Sequence, residues 1–194
     1  MTETLRERRR NQTSRDIRIA ALELCFTEGF DKVTTEAIST RAGVSPRTFF
    51  NYFLNKESAI ISHPPDFPPE AIEAFVHGTG RLLDDLRLLM RAQFNLLQDD
   101  RKMIDMVHAV IRTSEVLRAT HEAAMRQLQS KFTDIIQRRL HNVPRQQIEI
   151  LCSMILITVG QVMTDSPDTD NTRDIALYVD DALDALEQTL KLIA

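Results

Sequence analysis

The residues with the most pointed chemistry lie in Ser45-Pro46-Arg47-Thr48-Phe49-Phe50-Asn51-Tyr52-Phe53. Laid on a helix at about 100° per residue, Arg47, Asn51 and Thr48 share one face, and Phe49 and Phe53 share the other. Phe50 and Tyr52 flank the polar face. Such a face suits the major groove of a nucleic acid. Arginine can donate two hydrogen bonds to guanine O6 and N7. Asparagine can pair with adenine N6 and N7, and threonine offers a hydroxyl and a methyl for thymine. Tyr52 is placed to reach a phosphate. Helix starts expected at Thr34/Thr35 and at Asn55-Lys56 add free amides, and Lys56 adds a point charge, all favourable to phosphate oxygens.

Other chemistries lack their residues. The histidines His63, His77, His108, His121 and His141 are scattered, and no HExxH, GxSxG or glycine-rich phosphate loop occurs. His121-Glu122 reads as a solvated helix face. No catalytic group, metal site or cofactor is expected. Cys25 and Cys152 form no CxxC and read as buried small hydrophobes in a reducing compartment.

The elements that must position the polar face are helices. Apolar residues recur at three and four spacing, and no stretch alternates as a strand would. The first helix is expected from Ser14 to Glu28, capped by Thr13 or Ser14, with Gly29 ending it. A second runs from Thr35 to Ala42. Gly43-Val44-Ser45 makes a three-residue turn, and Ser45 followed by Pro46 is a strong start signal for the third. Asn55 caps a fourth, through Ile61. Two helices joined by a short glycine turn are a helix-turn-helix. Four prolines fall within His63–Pro69 and exclude a helix there. A domain junction is placed at this point, giving a DNA-binding domain over 1–62 and a second domain over 63–194. Helices follow over 70–77, 81–97, 101–112, 115–141 and 145–163. A last one starts at Asn171 or Thr172 and runs to the C-terminus. The fold class is all-α, an N-terminal three-helix helix-turn-helix domain plus a C-terminal helical bundle.

The net charge of −4 hides an asymmetry. Residues 1–60 hold ten Lys or Arg against eight Asp or Glu, and the remainder holds fourteen against twenty. The basic excess sits in Arg6, Arg8, Arg9, Arg10, Arg15 and Arg18. A short basic arm of this kind is either a solvated tail or a DNA arm, and composition leaves both open. No apolar secretory core is present. The longest apolar run, Ile148 to Met163, is broken by Ser153, Thr158 and Gly160 and falls short of the roughly 20 residues a bilayer demands. A cytoplasmic protein without membrane contact is expected.

Residues 17–60 resemble the DNA-binding domain of the tetracycline-repressor (TetR) family of bacterial regulators. The resemblance is carried by Gly29-Phe30, Thr34-Thr35-Glu36-Ala37-Ile38, Ala42-Gly43-Val44-Ser45, Thr48-Phe49-Phe50-Asn51-Tyr52-Phe53 and Lys56-Glu57. It implies a transcriptional regulator, by default a repressor, that binds a palindromic double-stranded operator as a homodimer. It also implies phosphate contacts from Thr34, Thr35, Tyr52 and Lys56, and a recognition helix carrying Ser45, Arg47, Thr48 and Asn51. The family often has Tyr where this chain has Phe50, so Phe50 is expected against sugar or a thymine methyl. Many members have a small residue at the position of Arg47, which points to a base contact particular to this chain.

The helix over 145–163 is apolar almost all the way round, with Ile148, Leu151, Cys152, Ile155, Leu156, Val159 and Met163 on one face. Ile150, Met154, Ile157 and Val162 cover much of the other. Such a helix needs burial on both sides. The last helix carries Ile175, Val179, Ala182, Leu183, Leu186, Leu190 and Ile193 on one stripe, and Tyr178, Asp181, Ala185 and Thr189 on the other flank. Together they suit a twofold dimer interface, or else a purely intramolecular core. Between the junction and these helices the resemblance implies a pocket for an apolar or amphipathic small-molecule effector. Candidate wall residues are Phe75, Met90, Phe94, Met103, Met106, Val107, His108, Ile111 and Met125, which serve equally well as core. The alternative functions are a helical protein-interaction module and a nonspecific DNA-binding module, neither under ligand control.

Overall fold

The computed structural model describes residues 4–62, 64–97, 101–165 and 174–192, and every regular element among them is helical. The chain divides into two compact units, one of Met1–His63 with Lys102–Ala124 and one of Pro64–Arg101 with Met125–Ala194.

The first unit opens with α1 (Leu5–Glu28), which starts well before the expected Ser14. The cause is local. Thr4 and Glu7 form a reciprocal capping box, Glu7 N donating to Thr4 Oγ1 at 3.2 Å and Thr4 N to Glu7 Oε2 at 2.7 Å. This satisfies two amides that a helix start otherwise leaves unpaired. The Thr-x-x-Glu pattern at residues 4–7 thus starts the helix ahead of the arginine run. At the other end Gly29 N donates to Cys25 O at 3.0 Å, and the positive φ of 85° there suits glycine. A 3₁₀ turn (Phe30–Lys32) leads into α2 (Thr35–Arg41), then α3 (Pro46–Tyr52) and α4 (Lys56–Ile60). Gly43, with φ of 69°, makes the turn between α2 and α3. The helices α2 to α4 fall where the sequence places them, to within a residue or so at each end.

The core of this unit gathers Ile17, Ala21, Leu22, Cys25, Ile38, Phe49 and Ile60. Met103 and Val110 of α7 (Arg101–Ile111), and Leu117 and Ala124 of α8 (Glu115–Arg139), belong to the same cluster. Helices of five and seven residues are not stable alone, so this packing is what holds α2 to α4. Cys25 is buried and free, and burial pushes its thiol up to about 11.

The second unit contains α5 (Pro69–Val76), α6 (Leu82–Asn95), α8 from Met125, α9 (Arg145–Asp165) and α10 (Ile175–Leu192). Its core includes Phe75, Leu86, Met90, Phe132, Ile136, Cys152, Ile155, Val179 and Leu183. Phe67, from the proline-rich segment, stacks on Phe132 with ring centres 5.5 Å apart. Gln93 fixes that segment through a 2.6 Å bond from Nε2 to Pro65 O. Arg87 and Arg91 of α6 both grip Asp180 of α10, with Arg91 Nε at 2.9 Å and Arg87 Nη1 at 3.1 Å from Oδ1. Arg139 pairs with Asp85 at 2.6 Å and donates to the carbonyls of Phe75 and Gly80.

Two expectations about the last helices meet the structure differently. Tyr178, placed by periodicity on the outer flank of α10, is fully buried. One helical stripe is too narrow for an element packed against both α6 and α9, so the buried arc of α10 widens to include it. Leu190, expected on the inner stripe, is 40% exposed. The expected cap at Asn171 or Thr172 and Ile193 lie outside the described residues, as do His63 and the side chains of Met163 and Ile175. No helix among the described residues is long and apolar enough to cross a membrane.

Candidate nucleic-acid interface

Phe49 is the pivot of α3, the helix expected to read DNA. It is fully buried, with its ring 5.3 Å from Phe50 edge-on and 5.9 Å from Phe53. Seating one side of a two-turn helix turns the opposite side outward. Arg47 and Asn51 are accordingly exposed, and neither side chain has a hydrogen bond or ion pair among the described residues. Both are therefore free to spend their full donor and acceptor sets on another molecule. They stand one helical turn apart.

Ser45 and Thr48 are in a different position. Ser45 Oγ caps α3 by accepting from Thr48 N at 3.0 Å, and the two hydroxyls lie 2.8 Å apart. Their hydrogen-bonding capacity is partly committed to starting the helix. Phe50 is 54% exposed, beside the Arg47–Asn51 face. Tyr52 is half-buried against the core of the unit, and its ring lies 6.5 Å from that of Phe53.

The groups assigned to phosphates divide in the same way. Thr34 caps α2, its hydroxyl accepting from Ala37 N at 3.1 Å. Thr35 Oγ1 lies 3.3 Å from Glu36 Oε2. Lys56 shows the largest departure from a simple surface charge. Its Nζ donates to Phe30 O at 2.8 Å and Val33 O at 2.9 Å and lies 4.1 Å from the centre of the Phe30 ring. An ammonium has three donors. Two of them fasten the 3₁₀ turn that leads into α2, so Lys56 sets the entry to the helix-turn-helix. Nothing in the sequence marks this, because its partners lie 26 and 23 residues away. Arg41 at the end of α2 is likewise tied to Glu23 of α1 at 2.7 Å.

The nine residues offered as effector walls fall in both units. Met103 and Ile111 are buried in the first, and Met106 and Val107 pack against the same core. His108 is half-buried with its ring 6.2 Å from that of His121, and burial lowers the pKa of both imidazoles. Phe75 and Met90 are buried in the second unit, with Phe94 packed beside them, and Met125 is partly buried. A groove of about 400 Å³ opens in the second unit between Leu82, Leu83 and Leu86 of α6, Leu151 and Ile155 of α9, and Leu186 and Leu190 of α10. None of the nine lines it.

A family model described as bacterial regulatory proteins, tetR family, matches residues 17–58. The HTH-type transcriptional regulator TcmR of Streptomyces glaucescens is 36% identical over 58 residues, which span 30% of this chain and 26% of TcmR. The chain thus matches about a quarter of that relative's length. Among solved structures, the fatty acid degradation regulator FadR of Bacillus halodurans is similar with a TM-score of 0.59 at 19% identity, over 96% of each chain. Thermus thermophilus FadR, a TetR-family transcriptional repressor in complex with lauroyl-CoA, is similar with a TM-score of 0.54 at 23% identity. That likeness covers 89% of this chain and 92% of the other. Those likenesses are to the fold. The helix-turn-helix built on Phe49 lies within residues 17–58, the segment that is similar to the bacterial regulatory proteins of the tetR family.

Proposed function

We propose that the protein is a sequence-specific regulator that binds a palindromic operator as a homodimer and releases it when a small apolar or amphipathic molecule binds. The observation that carries the DNA reading is the outward, unpartnered pair Arg47 and Asn51 on a helix anchored by Phe49. Arg47 reads a guanine and Asn51 an adenine in the same half-site. Thr34, Thr35, Tyr52 and Lys56 align the domain on phosphates, Ser45 and Thr48 shape the start of the recognition helix, and Phe50 lies on sugar or a thymine methyl.

The dimer reading rests on α9 and α10. Ile150 and Ile157 of α9 are 54% and 60% exposed, two turns apart on one stripe, and Leu177 of α10 is also exposed. Burying such a stripe against its twofold copy removes apolar surface from water at about 25 cal/mol per Å². Dimerisation sets the spacing of two recognition helices to about one turn of DNA. The effector reading is supported by the lauroyl-CoA complex of the Thermus relative. Region 1–62 serves as the DNA-binding domain and 63–194 supplies effector binding and dimerisation, although residues 102–124 of the latter pack into the compact unit of the former.

The test is selection of bound sequences from a random duplex pool, followed by fluorescence anisotropy on the enriched duplex and on a scrambled one. Salt-sensitive binding with a preference of at least 10³-fold (about 4 kcal/mol) is the expected result. Equal affinity for both duplexes would refute an operator-specific regulator. Titration of lauroyl-CoA into the complex then tests for release.

A further inference from the structure

The overhang of α1 is built as a basic rod. Residues 4–12 are all exposed, and Leu5, the only large apolar side chain among them, is 76% exposed. From Leu5 to Thr13 the helix advances about 12 Å. It contributes nothing to the core of its unit, yet it is held helical by the Thr4–Glu7 box. Four of the five residues from Arg6 to Arg10 are arginine. The side chains of Arg6, Arg9 and Arg10 have no ion pair or hydrogen bond among the described residues. Arg6 and Arg10, four apart, repel each other on one helix face.

The direction of these arginines follows from the helical period. Taking Ile17 as the reference at about 100° per residue, Arg6 lies near −20°, Arg10 near +20° and Arg9 near −80°. The buried residues Ala20, Ala21, Cys25 and Leu22 lie near −60°, +40°, +80° and +140° on the same scale, so Arg6 and Arg10 fall within the buried arc and Arg9 at its edge. The side of α1 that packs on α2 and α4 therefore continues beyond the core as arginine. By that period Arg6 and Arg10 project from the face of α1 that, further along, packs on α2 and α4. Free cations on a pre-ordered rod, beside a groove-reading helix, fit a row of phosphates.

We propose that the overhang of α1 is a second DNA-contact surface, in which Arg6, Arg9 and Arg10 hold backbone phosphates outside the reach of α3. The inference rests on the DNA-binding reading above. It contributes affinity and salt dependence without sequence preference, because phosphates carry no base identity.

The test uses the full chain, the triple variant R6A/R9A/R10A, and R6K/R9K/R10K. Affinity for the pool-enriched duplex and for a scrambled duplex is measured between 50 and 200 mM salt. Each lost phosphate contact lowers the salt slope by about 0.9. Loss of two or three contacts per chain, four to six in the twofold complex, makes the alanine variant's affinity fall about 150- to 1,800-fold less than the wild type's over that range. The lysine variant keeps the slope, and the preference for the enriched duplex is unchanged in both variants. Alanine is the strongest helix former, so helicity by circular dichroism stays intact. An alanine variant with the wild-type slope overturns the proposal while leaving the operator reading in place. A slope that drops in a protein without sequence preference does the reverse. A wild type that binds neither duplex overturns both.

Discussion

Substituting Arg47 by alanine separates base reading from general attraction to DNA. Arg47 is exposed and has no intramolecular partner, so its loss should leave stability within about 0.5 kcal/mol of wild type. A bidentate arginine–guanine pair is worth about 1–3 kcal/mol of discrimination. In a twofold complex the residue acts in both half-sites, so the cost is about 2–6 kcal/mol, or about 30-fold to about 20,000-fold in affinity. The loss must also be local in sequence. Selection from a random pool should return the wild-type motif with one position per half-site relaxed and the remainder intact. Anisotropy on duplexes altered at that single position should show that the variant no longer discriminates among bases there. Uniform weakening on every duplex, with a reduced salt slope and an unchanged motif, would show that Arg47 holds a phosphate instead. Unchanged affinity and motif would remove it from the interface and with it the orientation of α3 argued from Phe49.

Phe49→Ala should cost about 3–5 kcal/mol, since the ring is fully buried and anchors a helix too short to persist alone. A fall in urea stability below 1 kcal/mol would contradict that role. Asp180 is held below the usual carboxylate range by its hydrogen bonds to Arg91 and then Arg87. A depressed folded-state pKa gives stability that is present above the unfolded value of about 3.9 and is lost as pH falls through the lower folded value. Asp180→Asn should therefore destabilise by about 1–2 kcal/mol at pH 7, less than a fully buried pair because Arg91 is 41% exposed, with the gap closing below about pH 4. A gap that stays constant as pH falls from 4 to 2 in urea titrations would refute the ionic account. Ile157→Glu, at an exposed position of α9, should leave the single chain folded and convert the proposed dimer to monomer. Sedimentation at micromolar concentration that finds a dimer in the variant would move the interface elsewhere.

Local chemistry settled much of this protein before any packing was known. Ser45-Pro46 and Asn55 start helices, Gly29 ends one, and Gly43 turns between two, because caps and positive φ depend only on neighbouring residues. The period of 3.6 placed Phe49 inside and Arg47 and Asn51 outside for the same reason. The early start of α1 was also legible in Thr4-x-x-Glu7, though the arginine run masked it. Tertiary structure alone decided the rest. Only packing could show that Met103, Val110 and Leu117 join the core of the N-terminal helices, since contacts between residues so far apart in the chain leave no trace in local pattern. Only packing could bury Tyr178, because the width of a helix's buried arc depends on how many neighbours it has. The ammonium of Lys56 looked in sequence like a surface charge. The fold brings the carbonyls of Phe30 and Val33 to it, and hydrogen-bonding groups take the partners that three-dimensional proximity supplies.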